Sequence, residues 1–405
     1  MRYVIVGGGL ASVRAAEQLR REDSAGEIIV VSDESVMPYD HPPLSKEILR
    51  GEWPAEDAYL HPRDYYQGQD IDLRLGTATQ HIDTAAKKLV LADSAAMPYD
   101  KLLIATGTRP RPLGLPGGEL PGVHYLRTLN DSMAIRQEAQ RGRRAVVIGA
   151  GFIGMEVAAS LAQKGVQVTV LESTPYIWSR FLDEDLALYF QHYYEGHGIV
   201  FETGVSPEEI VGQEQAAAVI AGSQGYSCDF VCVGVGVMPN MEIAAASGLE
   251  VDDGIIVNEY LETSHPDIYG AGDVVNFYDP IFEKRRRIEH WGHAEYTGLL
   301  AAQNMVGHRT AYGLLSYIWS DIFDLHIEFT GEERDHDALL VRGDPKDNSF
   351  IVLYLKEQRL RAYLAVNAAE REFIPLQRMI RRKIDLSDKH DLLADTTVEL
   401  RDLLR

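Results

Sequence analysis

Tyr3-Val4-Ile5-Val6-Gly7-Gly8-Gly9-Leu10-Ala11-Ser12 and Ala145-Val146-Val147-Ile148-Gly149-Ala150-Gly151-Phe152-Ile153-Gly154 decide how this 405-residue chain is read. Each runs from a β-branched strand through a glycine turn into residues with helical apolar spacing. Leu10, Val13, Ala16 and Leu19 fall on one face of the first helix, and Ile153, Val157 and Leu161 recur every fourth residue on the second. A second strand follows each helix. Ile28-Ile29-Val30-Val31 ends at Ser32-Asp33-Glu34, and Gln167-Val168-Thr169-Val170-Leu171 ends at Glu172. Strand, helix and strand with a terminal carboxylate make a dinucleotide site. Two such units predict two dinucleotides on one chain, with electrons passing between them.

The chemistry follows from the spacing. Gly7 and Gly149 permit the tight turn, and Gly9 and Gly151 let backbone approach a pyrophosphate. Ser12 and Gly154 hold the third position, where a small residue lets helix pack on strand. Leu10-Ala11 and Phe152-Ile153 open the helices, whose unpaired N–H groups face the phosphates. Asp33 or Glu34 would accept from a ribose hydroxyl. Glu172 would accept from a free 2′-hydroxyl and repel a 2′-phosphate, which predicts NADH rather than NADPH. Glu156 is awkward: it places a carboxylate one turn beyond the second phosphate site, so it is either solvent-facing or paired.

Composition narrows the class. The formal charge is -22, from 39 basic and 61 acidic residues. That opposes nucleic-acid binding, which needs a basic footprint. No apolar run approaches the length of a membrane span. The first strand begins at Tyr3, so no leader is expected, and two cysteines in 405 residues fit a reducing compartment. The expected location is the cytoplasm. Cys228 and Cys232 read as one strand, about 13 Å apart on one face, too far for a bridge. His290 and His293, with Glu289, have helical i, i+3 spacing, but no further ligands converge in sequence and no metal is expected.

Other stretches supply turns. Leu102-Leu103-Ile104-Ala105-Thr106-Gly107 and Phe230-Val231-Cys232-Val233-Gly234-Val235-Gly236 read as crossings between the two nucleotide domains. Ile268-Tyr269-Gly270-Ala271-Gly272-Asp273 adds backbone room and a carboxylate. From about residue 320 the chain mixes strand-like runs with a basic helical run and has no phosphate loop, which predicts an interface domain.

Met37-Pro38-Tyr39-Asp40-His41-Pro42-Pro43-Leu44-Ser45-Lys46 is more discriminating than either glycine loop. So are Leu126-Arg127-Thr128-Leu129, the Gly272-Asp273 turn, Arg287-Ile288-Glu289-His290-Trp291 and Trp319-Ser320-Asp321. Over essentially its whole length the chain resembles the FAD-dependent, NADH-using ferredoxin reductases of bacterial oxygenase systems. Rubredoxin reductases and apoptosis-inducing factor share that architecture. The resemblance implies an α/β fold: two Rossmann-like dinucleotide-binding domains in a glutathione-reductase-like arrangement, plus a C-terminal α+β interface domain. The FAD domain would be discontinuous, residues 1–108 and 238–317. The NADH domain would be residues 109–237 and the C-terminal domain residues 318–405.

By the same resemblance, Lys46, Thr79, Ala105, Thr106, Gly107, Arg127, Gly272, Asp273, Glu289, His290, Trp291, Ala294 and Trp319 join the first loop in touching FAD. Asp273 is expected at the ribityl chain. Lys46 is expected near flavin N5, paired with Glu156, which would orient the nicotinamide amide. Gly234, Gly236 and Arg180 are expected at NADH. His41 stands where the family often has an arginine, which implies a weaker or pH-tuned FAD contact. The implied activity is hydride transfer from NADH to FAD, then single electrons to a [2Fe-2S] ferredoxin, by a monomer or homodimer. Arg285, Arg286 and Arg287 are the candidate docking patch. The alternatives are a rubredoxin reductase, an NADH oxidase or apoptosis-inducing-factor-like flavoprotein, and a redox-sensing binding protein with little turnover.

Overall fold

Tyr3-Val4-Ile5-Val6 and Ala145-Val146-Val147-Ile148 become the central strands of two parallel sheets, as continuous apolar runs covered on both faces must. The computed structural model describes residues 1–405 apart from Arg180, Asp335 and Arg405. It divides into two compact units. Residues 1–40, 59–109 and 238–318 form the first, and residues 41–58, 110–237 and 319–405 the second.

In the first unit, the sheet order is Ile268–Gly270, Lys101–Ile104, Arg2–Val6, Glu27–Val31 and Ile71–Arg74, all parallel. The register pairs Tyr3 with Ile28 and Val6 with Ile104. Helix Leu10–Glu22 leaves the central strand and buries Leu10, Val13, Ala16 and Leu19, the face that the spacing predicts. A small antiparallel sheet, Thr79–Asp83, Lys88–Leu91 and Ala96–Pro98, is also part of this unit.

In the second unit, the parallel order is Val200–Thr203, Gln167–Glu172, Arg144–Ile148, Phe230–Val233 and Val123–Tyr125. Helix Phe152–Gln163 follows the central strand. Val157 and Leu161 are buried as expected, but Ile153 is 48% exposed. Its place in the first helical turn, beside the glycine loop, leaves it open to solvent. The unit ends in a five-stranded antiparallel sheet that begins with Tyr317–Ile322 and carries helix Phe373–Arg382. That helix buries Pro375, Leu376, Met379 and Ile380 and turns its arginines outward, the amphipathic division expected of a surface helix.

Two expectations change. The segment of residues 41–58 groups with the second unit, although it interrupts the first in sequence. Two serines hold it there: Ser132 Oγ donates to Leu44 O at 2.6 Å, and Ser160 Oγ donates to Ser45 O at 2.6 Å. Cys228 and Cys232 do not share a strand either. Cys228 precedes Phe230–Val233, which holds Cys232, and both are free and buried. Among the described residues, no helix is long and apolar enough to cross a membrane.

Candidate functional site

The first glycine loop is shaped by what surrounds it. Gly7 has φ +121, and a Cβ there would lie 2.2 Å from Ala105 O. Gly9 is the contrasting case: a Cβ there would meet nothing within 4 Å. Gly9 caps helix Leu10–Glu22 without a side-chain hydrogen bond, which leaves the partial positive charge of the helix start for a ligand. Ser12 is fully buried and its Oγ has no protein partner among the described residues. An open cradle and a buried unpaired hydroxyl fit a phosphate-bearing cofactor. Asp33 is exposed just past the strand end, while Glu34 Oε2 accepts from Tyr39 Oη at 2.7 Å. Of the two carboxylates, Asp33 is the more accessible for a ribose.

The first unit also holds most of the other expected FAD residues. Asn240 clamps the Ala105-Thr106-Gly107 turn: Thr106 Oγ1 donates to Asn240 O at 2.7 Å, and Asn240 Nδ2 donates to Thr106 O at 2.8 Å. Gly272 N donates to Thr297 Oγ1 at 2.9 Å, setting the short turn that carries Asp273. Thr79 opens the small antiparallel sheet. Trp291 Nε1 donates to Asp40 Oδ1 at 2.6 Å, and Ala294 lies one turn on in the same helix. His290 caps that helix rather than sharing it with His293. Burial, with Arg286 nearby, lowers the His290 pKa to about 3, so the ring is neutral at ordinary pH.

The Arg285-Arg286-Arg287 run is not a free cationic face. Arg285 Nη1 donates to Val257 O and Asn276 O, each at 3.1 Å. Arg286 lies 3.6 Å from Asp279, and Arg287 pairs with Glu289 at 2.5 Å and Asp253 at 3.2 Å. The run therefore ties down its own loop, and Glu289 serves it. Only Glu289 of these partners stands close beside the run in sequence; Asp253, Asp279 and the two carbonyls are brought to it by the fold.

The second glycine loop repeats the logic in the second unit. A Cβ on Gly154 would lie 2.1 Å from Gly149 O, so the third glycine is demanded by close packing. Gly151 has φ -75, so its place does not need glycine for conformation, and its nearest neighbour is Gly234 O at 3.9 Å. Gly236 is also open. Phe152 is packed by Trp178 and Phe181, with ring centroids 5.2 and 5.5 Å away. Glu172 Oε2 accepts from Ala150 N at 2.8 Å, and Oε1 accepts from Thr174 N at 2.9 Å and Thr174 Oγ1 at 3.0 Å. Burial works against the charged carboxyl, yet these donors outweigh it and hold its pKa below the usual 4.5. A fixed anion thus stands at the end of the second strand. Arg180 lies outside the described residues.

Of the expected FAD residues, Lys46, Arg127 and Trp319 are grouped with the second unit. Arg127 precedes helix Leu129–Glu138, whose Thr128 and Asp131 form a capping box, so part of its motif is structural. Burial, then the Arg127 cation, pushes His41 well below its usual pKa. That leaves it neutral rather than pH-tuned near neutrality.

The same unit resolves the awkward carboxylate. Glu156 and Lys46 are each 6% exposed, with Lys46 Nζ 2.7 Å from Glu156 Oε1. Ser45 Oγ donates to Glu156 Oε2 at 2.5 Å, and Ser320 Oγ donates to Oε1 at 2.5 Å. A buried charge pair is stable only with such satisfaction. Tyr194 feels it too: burial, then Glu156, drives its phenol well above the usual value. Sequence reasoning missed Ser45, Ser320 and Asn240 as functional residues. Ser45 and Ser320 stood inside quoted motifs, but a serine there carries no signal of its own.

Comparison with known proteins bears on this arrangement. The family described as pyridine nucleotide-disulphide oxidoreductase matches residues 1–298, and a reductase C-terminal family matches residues 317–404. The chain is 37% identical over 404 residues to the anthranilate 1,2-dioxygenase system ferredoxin–NAD(+) reductase component of Burkholderia cepacia, covering 99% of each. It is 34% identical to putidaredoxin reductase of Pseudomonas putida, covering 99% of this chain and 96% of that one. It is also similar to the reductase in a solved covalent putidaredoxin reductase–putidaredoxin complex, with TM-score 0.94 and 33% identity over 100% of this chain and 98% of that one.

Proposed function

We propose that this chain, which belongs to the pyridine nucleotide-disulphide oxidoreductase family, is an NADH:ferredoxin reductase containing FAD and feeding a [2Fe-2S] protein for an oxygenase. One observation carries the choice of acceptor: two dinucleotide cradles share a chain that has no thiol pair to relay electrons. Disulfide exchange needs an accessible thiolate. The only two cysteines are buried, and burial raises both thiols, Cys228 to about 11. The stretch Pro42-Pro43-Leu44-Ser45-Lys46 holds none. Electrons must therefore leave for an acceptor outside the chain. Relatives named as ferredoxin reductases, and a similar reductase solved with putidaredoxin, support an iron–sulfur protein.

FAD supplies the redox chemistry when bound, taking a hydride from NADH and releasing electrons singly. The chain supplies position and charge. Gly9 and the first turn of Leu10–Glu22 would receive the FAD pyrophosphate, Asp33 the ribose and Asp273 the ribityl chain. Gly151 and Phe152–Gln163 would do the same for NADH, with Glu172 accepting from the 2′-hydroxyl. Lys46 is assigned to the flavin, and Glu156 to the nicotinamide amide. In this reading residues 1–108 and 238–317 serve FAD, 109–237 serve NADH, and 318–405 are an interface domain. Free buried thiols support a cytoplasmic location.

The deciding experiment reduces the purified flavoprotein anaerobically with NADH. It is then mixed in turn with a [2Fe-2S] ferredoxin, with rubredoxin and with oxygen. Fastest reoxidation by the ferredoxin is expected. Faster reoxidation by rubredoxin or oxygen would replace the proposal with a rubredoxin reductase or an oxidase.

A further inference from the structure

We propose that Ser320, on the first strand of the C-terminal sheet, is a positioning residue that fixes the Glu156 carboxylate for the nicotinamide amide. The inference rests on the NADH site proposed above, but not on the identity of the electron acceptor. Three donors reach two oxygens. Lys46 Nζ and Ser320 Oγ share Oε1, at 2.7 and 2.5 Å, and Ser45 Oγ takes Oε2 at 2.5 Å. Ser45 and Ser320 are 2% and 1% exposed, so water does not compete for these bonds.

An ionised carboxylate offers about four acceptor sites. Three are filled, and the structure leaves the remaining lone pair on Oε2. That is where an amide N–H would be received.

The donors differ in origin. Ser45 and Lys46 sit on a segment held to helix Phe152–Gln163, through Ser160 Oγ donating to Ser45 O. Glu156 rides on that same helix. Ser320 comes from strand Tyr317–Ile322, 164 residues further along the chain. It adds to Oε1 a second donor from outside the segment that carries Ser45 and Lys46. Without it, the carboxylate is held only by Lys46 on Oε1 and Ser45 on Oε2, two neighbours that move together.

The test compares Ser320→Ala, Ser320→Thr and wild type, each loaded with FAD. Calorimetry of the oxidised proteins measures NAD(+) against its 3-acetylpyridine analogue, which has no amide N–H. Wild type is expected to favour NAD(+). Ser320→Ala should lose at least threefold of that preference, and Ser320→Thr should keep it. In rapid mixing with NADH, Ser320→Ala should slow limiting flavin reduction about tenfold, and Ser320→Thr should reduce at the wild-type rate. An alanine variant with unchanged preference for NAD(+) over the analogue would overturn the assignment, as would failure of threonine to restore that preference. If ferredoxin reduction fails while these binding results hold, only the acceptor proposed earlier falls.

Discussion

Lys46 Nζ and Glu156 Oε1 lie 2.7 Å apart with both residues almost wholly buried, although 110 positions separate them in sequence. Burying either charge alone is costly, so the pair stands only because each neutralises the other and serines complete the carboxylate. The pair joins helix Phe152–Gln163, which carries Glu156, to the segment of residues 41–58.

Removing the carboxylate tests its part in reduction. Glu156→Ala should slow anaerobic flavin reduction by NADH at least tenfold while bound FAD stays at wild-type content. It should also destabilise the fold by about 3–5 kcal/mol, because Lys46 is left as a buried unpaired charge. Stopped-flow absorbance and denaturant titration read the two effects. Unchanged reduction would remove Glu156 from the mechanism.

Two glycines of the first loop, two residues apart, should behave in opposite ways. Gly9→Ala adds a Cβ into open space at φ -85, so folding should be preserved and FAD retention should fall. Gly7→Ala adds a Cβ 2.2 Å from Ala105 O at φ +121, so the protein itself should be destabilised. Thermal melting of the cofactor-free chains, beside FAD content after purification, separates the cases. Equal melting temperatures would contradict the reading of the loop.

Glu172→Gln keeps the shape and removes the anion. The Michaelis constant for NADH should rise about tenfold, and the preference for NADH over NADPH should shrink, since a 2′-phosphate is no longer repelled. Steady-state kinetics with ferricyanide would show it. An unaltered ratio would confine Glu172 to bracing Ala150 and Thr174.

His293 supplies a pH test. It is fully buried, stacked on Phe277 at 4.9 Å, and burial holds its pKa down at about 3. Unfolded, it would titrate near 6.5. The unfolded chain therefore binds an extra proton below pH 6.5, and stability falls with pH from there toward 3, by up to about 1.4 kcal/mol per unit. His293→Phe should flatten that part of the stability–pH curve. A parallel curve would show that the ring is not held neutral.

Arg342 is a staple in the C-terminal sheet. It is 2% exposed, pairs with Glu372 at 2.9 Å, and donates to the carbonyls of Leu393, Asp395 and Val398. Arg342→Ala should cost about 3–5 kcal/mol and expose the chain beyond residue 390 to limited proteolysis. Proteolysis at the wild-type rate would show that the tail is held by apolar contacts.

The strands of both parallel sheets and the glycine turns that follow their central strands were legible in the sequence because they depend on local rules. Glycines with β-branched strands before them and periodic helices after them make turns that few other residues permit. Ile153 departed from its period because the first helical turn lies beside the loop, beyond the packed part of the sheet. The pairing of the arginine run was not legible, for the converse reason. Its partners Asp253 and Asp279 belong to other elements, so the sequence presents the cations without their counter-charges.

By itself, then, the sequence determined two strand–glycine turn–helix–strand units, each with a carboxylate at the end of its second strand, since strand ends and helix starts are set within thirty residues. Tertiary structure alone decided what becomes of Glu156. A carboxylate in a helix is solvated unless the fold brings donors to it, and Lys46, Ser45 and Ser320 come from two other stretches of the chain. Their convergence is a matter of how strand Tyr317–Ile322 and the segment of residues 41–58 pack in the second unit, which no local spacing encodes.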